Sequence, residues 1–304
     1  VRVQLVENGS LVLRDVPLED YVRATILSEF APAEGDPVSV ERMLEVQAVI
    51  SRTYAVSHVG RHTRDGFDLC SATHCQLFDP ARLQTSRWAG AATTAAARTE
   101  GVVLRFAGAP AQALFHADCG GRMSTASAVW GGDDRAYLPT HDDSGVPVET
   151  HARWEYRVAI EALTKALDAD DRSRALGDVE RVAIVRRDEA GRAQEVSIER
   201  STGRGSNRGT VRTELRGDEL RQILSRAFGA RTIRSTWFDV RRDGRSFVFN
   251  GRGFGHGVGL CQAGALARIR EGASLEEIVG FYYPGTSLAA AVSTLSSSSH
   301  RPRY

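Results

Sequence analysis

Lysine is nearly missing from this chain: Lys165 is the only one in 304 residues, and the other basic residues are arginine. Basic and acidic residues number 39 and 38, for a net charge of +1. There is thus no basic excess of the kind that nucleic acid or an anionic membrane selects. The arginine bias reads as the codon usage of a GC-rich genome, not as a binding surface. Long apolar runs are missing too, and none approaches the roughly 20 residues of a membrane-spanning helix. No signal-like start precedes the mature-looking sequence at Val1, so an export signal is expected to have been removed or left out. Cysteine is scarce, and its four positions differ in kind. Cys70 and Cys75 are close together with His74 between them, whereas Cys119 and Cys261 are far apart, each inside a Gly-containing motif. Unlike contexts suggest unlike fates.

Glycine, by contrast, is concentrated. Residues 251–259 hold five glycines in nine positions, interleaved with His256 and followed by Cys261 and Gln262. Such a stretch serves where φ must be positive or where another group must come very close. Two readings stay open from the residues alone. One is a backbone-lined wall presenting His256 to a ligand; the other is a tight strand-to-helix connection with His256 bonded internally.

The periodicity predicts an α+β fold of mixed helices and antiparallel strands. Val3, Leu5, Leu11 and Leu13 alternate around Asn8-Gly9 as a hairpin. Pro17 opens a helix in which Leu18, Tyr21, Val22, Thr25, Ile26 and Glu29 share one stripe before Pro32 stops it. A carboxyl at the end of a buried stripe loses hydration, which raises its pKa toward the range of a general acid. The alternative for Glu29 is a structural pair, for instance with Arg52. A long buried helix is expected over about 40–59, with Gln47, Arg52 and Tyr54 as its polar exceptions. Two strands are expected at 102–106 and 111–115. Helices are expected over 81–100, 160–167, 218–228, 260–269 and 275–281, with further strands at 179–187, 194–199, 237–241 and 246–250. The composition shift near 142–245 is read as an inserted α/β subdomain. It interrupts a single catalytic domain over 1–291, whose groove-forming core covers about 11–141 and 246–291. A flexible tail over 292–304 follows, polar from Ser296 on.

Chemistry-bearing residues cluster in the loop after the long helix. His62, Cys70, His74 and Cys75 supply two thiols and two imidazoles within fourteen residues, the N and S donors that zinc takes in a closed, structural tetrahedron. A Cys70–Cys75 disulfide and two free thiols are the alternatives. A second loop, from His116 to Gly121, carries Cys119. If it meets the 251–264 stretch, Cys119 and Cys261 would pair as a disulfide or pack as buried thiols. Trp130, Tyr137, Tyr282 and Tyr283 are candidate stacking surfaces for sugar rings or, alternatively, core aromatics.

Six segments in order resemble the SpoIID (stage II sporulation protein D) family, also called the SpoIID/LytB domain. They are Leu18-Glu19-Asp20-Tyr21-Val22 running to Ser28-Glu29-Phe30; Gln47-Ala48 with Ser51-Arg52-Thr53-Tyr54-Ala55; the loop ending Cys75-Gln76; Phe115-His116 to Gly120-Gly121 with Val129-Trp130-Gly131; residues 251–264; and Tyr282-Tyr283-Pro284-Gly285-Thr286. The resemblance spans about residues 11–288. It implies an extracytoplasmic lytic transglycosylase acting on peptidoglycan glycan strands, in wall remodelling such as sporulation or cell division, with Glu29 as the catalytic acid. It also implies a structural zinc on Cys70, His74 and Cys75, with His62 as fourth ligand, and a glycan groove drawing on Gln47, Arg52, Tyr54, His116, His256, Gln262, Tyr282 and Tyr283. Some relatives are amidase enhancers, so a non-catalytic glycan-binding module partnering a cell-wall amidase is the second expectation. A zinc hydrolase built on His116 and His256 is a third. Where this chain has Cys119 and Cys261, serine is frequent in the family.

Overall fold

The computed structural model describes residues 1–7, 9–143, 152–203 and 209–291. The tail expected from residue 292 lies outside the described residues, as does Asn8. Helices and largely antiparallel sheets combine in an α+β fold, as the periodicity predicts. The chain divides into two compact units.

The first unit comprises Val1–Leu114 and the described residues from Ile269 onward. Its hairpin of β1 (Arg2–Glu7) and β2 (Ser10–Asp15) turns at Gly9, at φ 79°. Val3 and Leu5 face inward while Leu11 and Leu13 are exposed, the alternation of a sheet with one wet face. Helix α1 (Leu18–Glu29) follows Pro17 and buries Tyr21, Val22, Ala24, Thr25, Ile26 and Leu27. Phe30 leaves the helical region, so the helix ends at Glu29, before Pro32. Helix α2 (Pro37–Ser57) begins three residues earlier than the apolar pattern suggests. Asp36 caps it, accepting the Ser39 N–H at 2.8 Å, and Pro37 occupies the first helical position.

Val22, Ile26 and Leu27 of α1 pack with Val40, Leu44 and Ala48 of α2. After β3 (Leu69–Cys70), which pairs in parallel with β1, come the short α3 (Arg82–Thr85) and α4 (Ala89–Arg98). Helix α4 offers Ala92, Ala95 and Ala96 to the same core, and side chains that small let helices approach closely. Strand β4 (Val102–Phe106) has β5 (Ala109–Pro110) on one side and β14 (Ser287–Ala290), which follows α9 (Leu275–Tyr282), on the other. The strand expected at 111–115 does not form. The Leu114 N–H closes on Gln112 O at 2.8 Å, a turn too tight for a continuing ladder.

The second unit is Phe115–Arg268. It is larger than the 142–245 segment expected as an insertion, because β6 (Phe115–His116) pairs in parallel with β13 (Leu260–Cys261), tying both Gly-containing motifs into it. Between them lie α5 (Ala126–Trp130), β7 (Arg153–Ala159), α6 (Ile160–Asp168), β8 (Asp178–Arg187), β9 (Ala193–Thr202), β10 (Gly209–Arg216), α7 (Gly217–Phe228), β11 (Phe238–Asp243) and β12 (Ser246–Arg252), and α8 (Gln262–Arg270) follows. The sheets β10-β9-β8 and β11-β12-β7 are antiparallel throughout, so this part is α+β and not α/β. Leu163 and Leu167 of α6 and Leu220, Ile223 and Leu224 of α7 share one core with Val196, Ile198, Phe238, Phe247 and Phe249 of the sheets.

Arg52 settles into the first unit as a buried ion pair. Its Nε and Nη2 fork onto Glu19 at 2.8 and 2.6 Å, and its remaining donors meet the Ala48, Ala96 and Val102 carbonyls and Thr99. Glu19 is partly exposed and Arg52 fully buried, so removing the carboxylate strands a charge in the core. Glu19→Ala is expected to destabilise the protein by about 2–3 kcal/mol in urea unfolding, less than for a fully buried pair because Glu19 is partly solvated. A loss below about 0.5 kcal/mol would mean that the pair is energetically idle.

Candidate functional site

Glu29 is the last residue of α1 and is half-buried. Arg52 is engaged by Glu19, so the Arg52–Glu29 pair considered from sequence does not form. Instead the Leu77 N–H donates to Glu29 Oε1 at 2.6 Å. Burial pushes the Glu29 carboxyl up from 4.5 to about 7, against a smaller lowering by that N–H. Its place at the negative end of α1 acts in the same upward direction. The result is a carboxyl that holds and releases a proton near neutral pH.

The segment that carries Leu77 is anchored by the Cys/His loop. His62 Nε2 lies 3.3 Å from Cys75 Sγ, and His74 Nδ1 lies 3.8 Å from Cys70 Sγ and 3.7 Å from Cys75 Sγ. One donor atom from each of the four residues lies within 4.8 Å of all the others. A tetrahedron with ordinary zinc–nitrogen and zinc–sulfur bonds has edges of roughly 3.3–3.8 Å, and the three sulfur–nitrogen separations fall in that range, so the group could hold a metal ion. His62 stacks on Phe67 with centroids 4.5 Å apart, and its Nδ1 is 3.7 Å from the Asp65 carboxylate. The Cys75 thiol, hydrogen-bonded to Cys70, holds the Cys70 sulfur down to about 4, while the same bond pushes Cys75 up. Asp68 clasps the loop from outside, accepting the Gly60 and Arg2 N–H groups at 2.9 and 2.8 Å. The order along the chain matters. Cys75 belongs to the cluster, Gln76 accepts the Tyr21 hydroxyl of α1 at 3.0 Å, and Leu77 holds Glu29.

The other residues expected to line a groove are largely buried. Gln47 donates to Ser51 at 3.1 Å, Tyr54 stacks on His58 at 4.0 Å, and Tyr283 donates to Leu114 O at 2.6 Å. Gln47, Arg52, Tyr54, Tyr282, Tyr283 and Gln262 are all buried. Tyr282, the last residue of α9, and Tyr283 after it are therefore core aromatics in this structure, not a stacking surface.

In the second unit the glycine-rich stretch folds inward. Gly255 sits at φ +112°, where an added Cβ would lie 2.6 Å from His116 Cβ, and Gly257, at φ +81°, leaves the room that the Arg192 guanidinium fills. His256 Nε2 is 2.9 Å from Phe115 O, and its Nδ1 accepts the Val258 N–H at 3.1 Å. Both ring nitrogens are used internally, which removes His256 from the zinc-hydrolase reading. Burial pushes it down to about 4, so it is neutral. Trp130 packs on it with centroids 4.9 Å apart and donates from Nε1 to Asp218 at 3.0 Å. Burial pushes Asp218 up, but Arg221 and the Trp130 N–H outweigh it and hold the carboxyl below its ordinary value. Asp118 accepts the Gly120 and Ala152 N–H groups at 2.8 and 2.7 Å. The two cysteine loops do meet, for the Cys119 N–H donates to Cys261 Sγ at 3.2 Å, and both cysteines are buried and free. Sequence reasoning missed Leu77, which acts through its backbone, and Asp218, which looks like an ordinary helix-start acid.

The Glu29 shift fixes a pH signature. Between pH 4.5 and about 7 the folded protein binds a proton at Glu29 that the unfolded chain has released, so stability falls as pH rises through that window. Glu29→Gln removes this dependence. The variant is expected to gain on the wild type from pH 4.5 upward, by on the order of 1–3 kcal/mol at pH 8, with no gain below pH 4. Parallel stability–pH curves for the two proteins would contradict the shift.

Residues 6–106 match the SpoIID family, described as Stage II sporulation protein, and residues 148–259 match a Domain of unknown function (DUF8618). Stage II sporulation protein D of Bacillus subtilis (strain 168) is 24% identical over 304 residues, covering 96% of this chain and 80% of the relative. The corresponding protein of Bacillus amyloliquefaciens is 24% identical over 310 residues, covering 97% and 81%. An Amidase enhancer of Bacillus subtilis (strain 168) is 26% identical over 281 residues, covering 81% of this chain but 38% of the relative. Matched by the SpoIID model over residues 6–106 and by these relatives along most of its length, the chain is similar to proteins of the SpoIID/LytB type.

Proposed function

We propose that this protein is a peptidoglycan lytic transglycosylase, with Glu29 acting first as acid and then as base. The observation that carries the reading is the half-buried Glu29 carboxyl, raised to about 7 and held by the Leu77 N–H. Similarity to proteins of this type supports a role at the cell wall, and with it an extracytoplasmic location. Ordinary glycosidases use two carboxyl groups, one as acid and one as nucleophile or base. Here Asp68 and Asp118 are each committed to backbone N–H groups, which leaves Glu29 to act without them. One carboxyl suffices when the substrate supplies the nucleophile. Glu29 protonates the oxygen linking MurNAc to GlcNAc, that bond breaks, and the muramyl C6 hydroxyl attacks C1. The Glu29 carboxylate takes the hydroxyl proton, leaving a 1,6-anhydro ring and a regenerated acid. A pKa near 7 suits both halves of this cycle.

Zinc is the metal we assign to His62, Cys70, His74 and Cys75. Two sulfurs and two imidazole nitrogens within 4.8 Å of one another suit its preferences, and a closed set of four protein ligands would make it structural. When bound it supplies a cross-link for an irregular loop. The residues themselves do the positioning: Cys75 fixes the segment, Gln76 docks it on Tyr21, and Leu77 orients the Glu29 carboxyl.

A second reading rests on the Amidase enhancer relative. In it the protein binds glycan strands without cleaving them and recruits or stimulates a cell-wall amidase, and Glu29 is a hydrogen-bonding residue.

Incubation with peptide-free glycan strands separates the two. The wild type is expected to turn them over, and Glu29→Gln to cleave at least about 100-fold more slowly while still sedimenting with glycan. Wild-type binding without turnover would favour the second reading. For the metal, Cys75→Ala is expected to lose one zinc per chain, melt at lower temperature and cleave more slowly. A Cys70–Cys75 disulfide found by peptide mapping of metal-replete protein would overturn the zinc assignment.

A further inference from the structure

We propose that His116, Cys119 and Cys261 form a second, separate metal site for a thiophilic divalent cation, Zn²⁺ being the one that best suits the donors. One ring nitrogen of His116 and the two sulfurs lie within 4.8 Å of one another. All three residues are buried, His116 to 5% exposure and the cysteines to 0%. The imidazole is oriented as a ligand would be: Nδ1 is 3.2 Å from Val258 O, which fixes its proton there, and the buried Nε2 has no hydrogen-bond partner. An orphaned buried nitrogen is unfavourable, and its lone pair is the donor that a cation takes. Carbonyl-oriented imidazoles of this kind are the rule among metal-binding histidines.

The sulfurs are prepared in the same sense. Cys119 Sγ receives the Gly121 N–H at 3.2 Å, and Cys261 Sγ receives those of Cys119 and Gly264 at 3.2 and 3.4 Å. Such N–H···S bonds support a metal-bound thiolate at Cys261, where burial otherwise pushes the thiol well above its ordinary value. The frame is rigid, because His116 and Cys261 are register partners in the β6–β13 pair and Cys119 lies on the loop that leaves β6. Asp143 accepts from Cys119 Sγ at 3.5 Å and from Arg268 at 3.0 Å, which holds the Cys119 loop beside the cluster. Two cysteine sulfurs and one histidine nitrogen match the borderline-soft donors of zinc. Binding releases two thiol protons as two metal–sulfur bonds form, so the filled site is neutral in thiolate and metal charge.

The test counts metal on the full chain, reconstituted with Zn²⁺ under reducing conditions. The wild type is expected to hold two zinc ions. The Cys70→Ala/Cys75→Ala variant should keep one, and Cys119→Ala/Cys261→Ala should keep the other. With Co²⁺ in place of zinc, the Cys70→Ala/Cys75→Ala protein should still show sulfur-to-cobalt charge-transfer absorption. A wild-type stoichiometry of one, lost in the Cys70→Ala/Cys75→Ala variant and kept in Cys119→Ala/Cys261→Ala, would overturn the proposal. So would a Cys119–Cys261 disulfide mapped in wild-type protein purified without reductant. A wild-type count of one that is lost instead with Cys119 and Cys261 would uphold this site and remove the loop zinc.

Discussion

A single hydrogen bond, from the Leu77 N–H to the Glu29 carboxyl, links the two things this protein must reconcile. The carboxyl has to lose enough water to hold a proton near neutrality, yet remain open enough to exchange it. Helix α1 meets the first need by ending its buried stripe at Glu29. The second need falls on the loop after α2, which sets Leu69, Cys75 and Phe78 in the core but has little regular secondary structure. Four donor groups spaced for one metal ion stand where that loop must be fixed, and the residues from Cys75 to Leu77 carry the constraint to the carboxyl in three steps. In the proposed mechanism, loop and acid are one device.

The second unit solves a different problem with the same kinds of residue. Its glycines are bare because His116 and Arg192 pack where side chains would otherwise stand. His256, the most conspicuous residue of that stretch, has both nitrogens satisfied and is neutral, so its role is to join Phe115 and Val258 across the strand pair. His116 is less conspicuous in sequence but has the unmet nitrogen. Satisfaction, not proximity, separates a structural imidazole from a candidate ligand.

Much of this was legible in the residues. The stripe ending at Glu29 and the four-membered Cys/His group follow from spacing and context, and most helices were found to within a few residues, although the one expected over 81–100 divides into α3 and α4 and α5 was not expected. What sequence could not supply was partner choice. Whether Arg52 would meet Glu19 or Glu29 depends on the packing of α1 against α2, and both acids lie on α1. Whether Tyr282 and Tyr283 face sugar or core depends on where α9 docks. Leu77 was invisible because a backbone N–H leaves no mark in a sequence, and the break at 111–114 because a tight turn formed without glycine.

The central claim is that one carboxyl suffices because the glycan supplies its own nucleophile. Digestion of peptide-free strands in H₂¹⁸O, with mass spectrometry of the fragments, tests it directly. The account predicts muramyl ends lighter by one water than the reducing sugar and free of ¹⁸O. Reducing ends carrying ¹⁸O would mean that water attacks C1, and the account would be wrong.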